Sequence, residues 1–235
     1  MREPETIFED KNLRIMLAQS NERSNGRTLV SFTGVGHGMG GIDVQKPEFF
    51  KAGDGYGNMV FVTDVSRSWG NRIDFAFLNE VLEPFKGKDG FDALGNSMGG
   101  FLAVLAARFL QFRTVVAFAP QFSVKPEIVP WETRWRNYRQ AIEVWRYPSL
   151  DEMWLPETRY YVFSSVGGLD GKHTDMLPER ENLTVTKVKA HHDFAQTLKD
   201  AGLLHEVIRA CFEQSYSTSW FNEALAASGH GHLTQ

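Results

Sequence analysis

The chain has 235 residues, of which 42% are hydrophobic and 23% charged, the balance of a globular protein with a real core and a length that fits one domain. Its formal net charge of -4 and lack of any long Lys/Arg run argue against nucleic acid as a partner, because phosphate binding needs a basic stripe. A single cysteine, Cys211, excludes an intrachain disulfide and a cysteine-built zinc cluster. No stretch approaches the roughly 18–20 apolar residues of a membrane span, and the acidic N-terminus has no signal-like apolar run. A cytoplasmic location is the expectation.

In chain order, residues 6–19 suggest an antiparallel hairpin at a sheet edge, with Glu9-Asp10-Lys11-Asn12 as its turn. Six short runs then read as buried strands: 28–33, 59–64, 90–95, 114–119, 159–165 and 183–188. Several are β-branched or aromatic and stop at Gly, Pro or Asp. Segments of helical character alternate with them, which is the pattern of a mostly parallel α/β sheet. Residues 98–112 are apolar on nearly every side and predict a helix buried against the sheet. Residues 192–203 and about 204–214 predict two more helices, and the Gly/His-rich tail 228–235 a frayed end. Asp64 and Arg67-Ser68-Trp69 fall at the C-terminal edge of the sheet, where ligands bind in open α/β folds.

One insertion breaks the rhythm. Residues 121–158 hold Trp131, Trp135, Trp145 and Trp154 together with Arg134, Arg136, Arg139 and Arg146. Such a stretch fits either an ordinary crossover packed by aromatics or a short helical cap bringing apolar walls and positive charge to a substrate. Tryptophans exposed on a cap would also offer a homodimer contact.

The chemical signal is Gly95-Asn96-Ser97-Met98-Gly99, with Gly100 behind it. A G-x-S-x-G match means little alone, but here a strand precedes it and a helix follows. That is the setting of a nucleophile elbow, in which glycines relieve crowding around an exposed serine. The helix N-terminus also favours negative charge developing beside Ser97.

Over residues 28–203 the chain resembles the α/β-hydrolase superfamily of serine hydrolases. The resemblance implies a nucleophile after a central strand, an acid after a later strand and a histidine after the last. The acid would be Asp170, favoured by position over Asp175. The base would be His192, favoured over His191 because Phe194 and a helix follow it. The oxyanion hole would draw one N–H from Met98 and another from Thr33 or Gly34, in the loop that continues to Gly41. His37 in that loop reads as a loop residue. The implied reaction is cleavage of an ester or related acyl bond through an acyl-enzyme, with a small-molecule ester as substrate and no cofactor. The phrases Phe32-Thr33-Gly34, Val62-Thr63-Asp64 and Gly95-Asn96-Ser97 are similar to a bacterial branch associated with surface-polysaccharide synthesis, which implies a glycan-linked ester. An acyltransferase would use the same three residues, and a binding protein could keep the fold without the chemistry.

Two other chemistries compete. Gly36-His37-Gly38-Met39-Gly40-Gly41 fits G-x-G-x-x-G, with Asp64 near the spacing of a ribose-binding acid, but Asp43-Val44-Gln45-Lys46-Pro47 does not open a long helix. His173, Asp175, His191, His192 and Asp193 include the usual metal ligands, but their spacing matches no standard motif.

Overall fold

The computed structural model describes residues 1–20, 24–36 and 44–234. Its strands are β1 (Glu5–Glu9), β2 (Leu13–Gln19), β3 (Thr28–Phe32), β4 (Asn58–Asp64), β5 (Phe91–Asn96), β6 (Thr114–Phe118), β7 (Arg159–Ser165) and β8 (Leu183–Val188). They form one sheet in the order β1-β2-β4-β3-β5-β6-β7-β8. The strands from β3 onward pair in parallel. β1 and β2 form the expected antiparallel hairpin, joined to the edge through β4. The six parallel strands match the sequence reading to within one or two residues.

Every residue of β3 and β6 is buried. Side chains alternate between two apolar layers, as strand geometry requires. Val30, Val60 and Val115 face one layer, and Leu29, Phe61 and Val116 the other. The first layer is closed by α1 (Phe75–Leu82), α2 (Met98–Leu110) and part of the insertion. The second is closed by α5 (Phe194–Asp200), α6 (Leu204–Phe212) and α7 (Thr218–Ala227). Between them in sequence fall the short helices α3 (Arg136–Gln140) and α4 (Gly168–Thr174). α2 lies against the middle of the sheet with nearly all its residues buried, which explains its apolar composition. The side chain of Asp74 caps α1 by accepting from the Ala76 and Phe77 N–H groups.

Two expectations need correction. The tail is not frayed through residue 234: Leu233 is buried, and its carbonyl accepts from Lys189 N–H at 2.8 Å. One apolar side chain and one backbone bond outweigh the Gly-rich composition. The insertion contributes only α3 as regular helix, and its arginines are largely structural. Arg139 is buried and donates to the carbonyls of Val124 and Glu132. Arg146 donates to the carbonyls of Asn71 and Ile73. Trp154 is buried and Trp131, Trp135 and Trp145 are half-buried, so no tryptophan of the insertion is exposed as the dimer argument supposed.

Cys211 is buried on α6 and unpaired, and burial pushes its thiol pKa up. Among the described residues no helix is long and apolar enough to cross a membrane.

Candidate active site

β5 ends at Asn96, and the chain turns sharply into α2 through Ser97, whose φ of 56° and ψ of -121° are unusual for a residue with a side chain. The turn demands glycine on both sides. A Cβ on Gly95 would collide with the Gly99 carbonyl, and one on Gly99 with the Phe32 carbonyl. The first turn of α2 is thus pressed against the ends of β3 and β5, and Ser97, whose N–H donates to the Phe118 carbonyl at the end of β6, has 5% of its surface exposed. Met98 opens α2, so its N–H has no acceptor within the helix.

The loop between β8 and α5 carries His192 to this point. His192 Nε2 lies 3.0 Å from Ser97 Oγ, and Nδ1 lies 2.9 and 3.0 Å from the two carboxylate oxygens of Asp170. Asp170 sits in the first turn of α4, just beyond β7. An ionised carboxylate only accepts, so Nδ1 carries the hydrogen and Nε2 is left to accept from the serine hydroxyl. The alternatives are elsewhere: Asp175 is exposed and pairs with Lys187, and His191 is exposed.

A second layer stands behind the acid. Arg134 Nη1 lies 2.8 Å from Asp170 Oδ1, and Arg134 Nη2 lies 2.7 Å from Glu132 Oε2. Glu132 also accepts from His173 Nε2 at 2.9 Å, while His173 Nδ1 accepts from Phe122 N–H at 3.2 Å. These two bonds set the His173 tautomer, and burial holds its pKa below the ordinary histidine value despite Glu132. Burial alone would raise Glu132, but hydrogen bonds from His173 and Arg134 pull it down to about 2. Burial likewise opposes ionisation of Asp170, and His192 with Arg134 reverses this, leaving its pKa lowered. Sequence reasoning missed this layer. By spacing alone His173 reads as a candidate metal ligand, and Arg134 as a residue of either a crossover or a substrate-facing cap. Among the described residues no three His, Cys, Asp or Glu side chains gather as metal ligands.

The other expected oxyanion donors are occupied. Thr33 N–H donates to the Val62 carbonyl at 2.9 Å, extending the sheet ladder. Gly34 N–H donates to Glu48 Oε1 at 3.1 Å. His37 to Gly41, and with them most of the G-x-G-x-x-G stretch, lie outside the described residues.

Solved structures share this architecture at low identity. A capsule O-acetyltransferase of Neisseria meningitidis serogroup A superposes with a TM-score of 0.57 at 12% identity, covering 85% of this chain and 93% of that one. A serine hydrolase homologue from Coxiella burnetii gives 0.52 at 14% identity, over 88% and 95% of the two chains. A Xanthomonas campestris serine hydrolase without a lid gives 0.53 at 16%, over 88% and 93%. The chain has the α/β-hydrolase fold. No protein-family model and no curated protein matches its sequence.

In this α/β-hydrolase fold the loops after the parallel strands also build the walls around Ser97. Asp64, at the end of β4, accepts from Ser66 Oγ, from the Ser68 N–H and hydroxyl, and from Gly70 N–H. Burial raises the Asp64 pKa against the pull of those donors. The carboxyl thus shapes a turn in which Arg67 and Trp69 both adopt positive φ, 51° and 50°. Trp69 is driven inward, 5.7 Å between ring centres from Trp135, which in turn lies 5.5 Å from the His192 ring. Asp64 is therefore an organiser of this wall.

Glu48 makes stability depend on pH. Burial pushes its carboxyl up to about 7, only partly offset by Gly34 N–H. Between an unfolded value near 4.5 and about 7, the folded chain binds the extra proton, so stability falls as pH rises through that window and levels off above it. Glu48→Gln keeps an acceptor for Gly34 and removes the charge. The variant is expected to gain on the order of 1–3 kcal/mol over wild type on going from pH 5 to pH 8. Thermal melts of both proteins across that range check this, and parallel pH profiles would refute it.

Proposed function

We propose that the chain is a serine hydrolase that cleaves a small polar or glycan-linked ester through an acyl-enzyme on Ser97. The observation that carries this reading is the continuous path from Ser97 Oγ to His192 Nε2 at 3.0 Å and from Nδ1 to Asp170 at 2.9 Å. His192 takes the hydroxyl proton as Oγ bonds to the ester carbonyl, then delivers it to the departing alkoxide as the C–O bond breaks. A water molecule, deprotonated by the same nitrogen, attacks the acyl-enzyme, and the proton returns to Oγ. Asp170 keeps Nδ1–H in place and stabilises the imidazolium. Met98 N–H is the first oxyanion donor, and Gly34 N–H becomes the second when the substrate oxygen displaces Glu48.

Acyl transfer to an alcohol is a second reading. The Neisseria meningitidis neighbour is a capsule O-acetyltransferase, and the serine here is nearly covered, with the Trp135 ring 5.5 Å from the ring of its partner His192. An acyl-enzyme shielded from water can wait for a hydroxyl acceptor.

A fluorescent fluorophosphonate tests the common core. Wild type should gain one adduct, and Ser97→Ala none. Folded wild type that stays unlabelled would remove the catalytic reading and leave a binding protein on this fold. Partition of the acyl group of an activated acetyl ester between water and an added alcohol then separates hydrolysis from transfer.

A further inference from the structure

Beside the serine lies a side chain that the Ser–His–Asp chemistry does not require. Gln121 follows β6 after a kink at Ala119, where φ is 43°, and it is fully buried. Its amide nitrogen lies 3.2 Å from Ser97 Oγ and 3.2 Å from the Ala119 carbonyl, and its amide oxygen accepts from the Trp69 indole N–H at 3.0 Å. Every polar atom of the amide is therefore engaged.

These partners leave the amide one orientation. An indole N–H can only donate and a carbonyl can only accept. Rotating the amide by half a turn would set N–H against N–H at Trp69 and oxygen against oxygen at Ala119. The nitrogen must face Ser97, and the serine oxygen must accept from it. The single hydroxyl hydrogen is then left for His192 Nε2, the direction that nucleophilic attack needs. In the rotated amide the serine would donate to glutamine instead, and His192 would hold no proton path.

We propose that Gln121 is a further catalytic residue, donating a hydrogen bond to Ser97 Oγ, and that Trp69 is the positioning residue that holds its amide in the working orientation. This rests on Ser97 being the nucleophile. The donor acts at both halves of the reaction. As the O–H proton moves to His192 and the Oγ–carbon bond forms, the amide N–H stabilises the charge gathering on Oγ. When water attacks the acyl-enzyme and the carbon–Oγ bond breaks, the same N–H stabilises the departing Oγ until His192 returns its proton.

The test compares Gln121→Leu, Trp69→Phe and the double variant by the second-order rate of fluorophosphonate labelling and by kcat and KM on an activated acetyl ester. Gln121→Leu should slow labelling and kcat about 30-fold, the loss expected when one hydrogen bond to a charged oxygen is removed, with KM changed less than about twofold. Trp69→Phe keeps an aromatic ring facing Trp135 while removing the indole donor together with part of the ring volume, and should slow both about tenfold. The double variant should be no slower than Gln121→Leu alone, because the two residues act as one unit. Folded single variants that label within about twofold of wild type would overturn the proposal, as would effects that multiply in the double variant. If Gln121→Leu does not fold, the Trp69→Phe rate decides. Absence of labelling in wild type itself would instead strike the serine hydrolase reading.

Discussion

Alanine at His192 is expected to lower kcat/KM on an activated ester about 10⁴-fold, whereas alanine at His191 should leave it within about twofold. The asymmetry follows from placement. His192 bridges Ser97 and Asp170, with both ring nitrogens engaged, while its neighbour is exposed to solvent. Without the imidazole, Oγ must attack while still holding its proton, which removes the main activation of a weak nucleophile. Residues acting as a unit are far from additive. Ser97→Ala combined with His192→Ala should therefore be only slightly slower than either change alone. Steady-state kinetics on the two single histidine variants, on Ser97→Ala and on the Ser97→Ala/His192→Ala double variant check this. Equal losses at His191 and His192 would show that the loop matters for folding and not for proton transfer.

Removal of the guanidinium behind the acid should bring the largest change in stability. Arg134→Met leaves the Glu132 side chain, which is wholly buried, with His173 as its remaining side-chain partner, and takes one partner from Asp170. Breaking a buried pair from one side strands a charge. Because Arg134 is itself about a quarter exposed, the expected loss is about 2–4 kcal/mol, or roughly 4–16 °C in Tm for a chain of this size. The sign of the pH effect also follows. Glu132 is held at about 2 against an ordinary 4.5, so its contribution is complete above 4.5 and fades as pH falls toward 2. Without Arg134 that acid limb moves to higher pH. Adding Glu132→Gln should recover much of the loss, since the amide oxygen still accepts from His173 and no charge remains to be stranded. Calorimetry of the single and double variants decides the matter. A double variant no more stable than Arg134→Met would show that packing, and not charge, is what Arg134 supplies.

The strands were legible because burial on both faces leaves uninterrupted runs such as Thr114–Phe118, bounded by residues that end strands. The turn at Ser97 was legible because its crowding admits only glycine at 95 and 99, and that requirement is local. The layer around Glu132 was not. Glu132 and Arg134 lie about 40 residues before His173 and meet it only when the insertion folds over α4. A fold-level contact of that kind leaves no periodicity. Gln121 is hidden for a similar reason, since its meaning comes from Trp69, on the far side of β5 in sequence. Composition actively misled at the C-terminal tail, where glycine and histidine masked the one leucine that docks it.

The lone cysteine has a practical consequence. Its thiol is enclosed and reluctant to ionise, so it should be silent toward maleimides under native conditions. A cysteine introduced at Val144, which is 68% exposed in the insertion, would become a uniquely addressable handle. A dye attached there could follow the insertion during turnover while a serine-directed probe reads Ser97, each chemistry blind to the other.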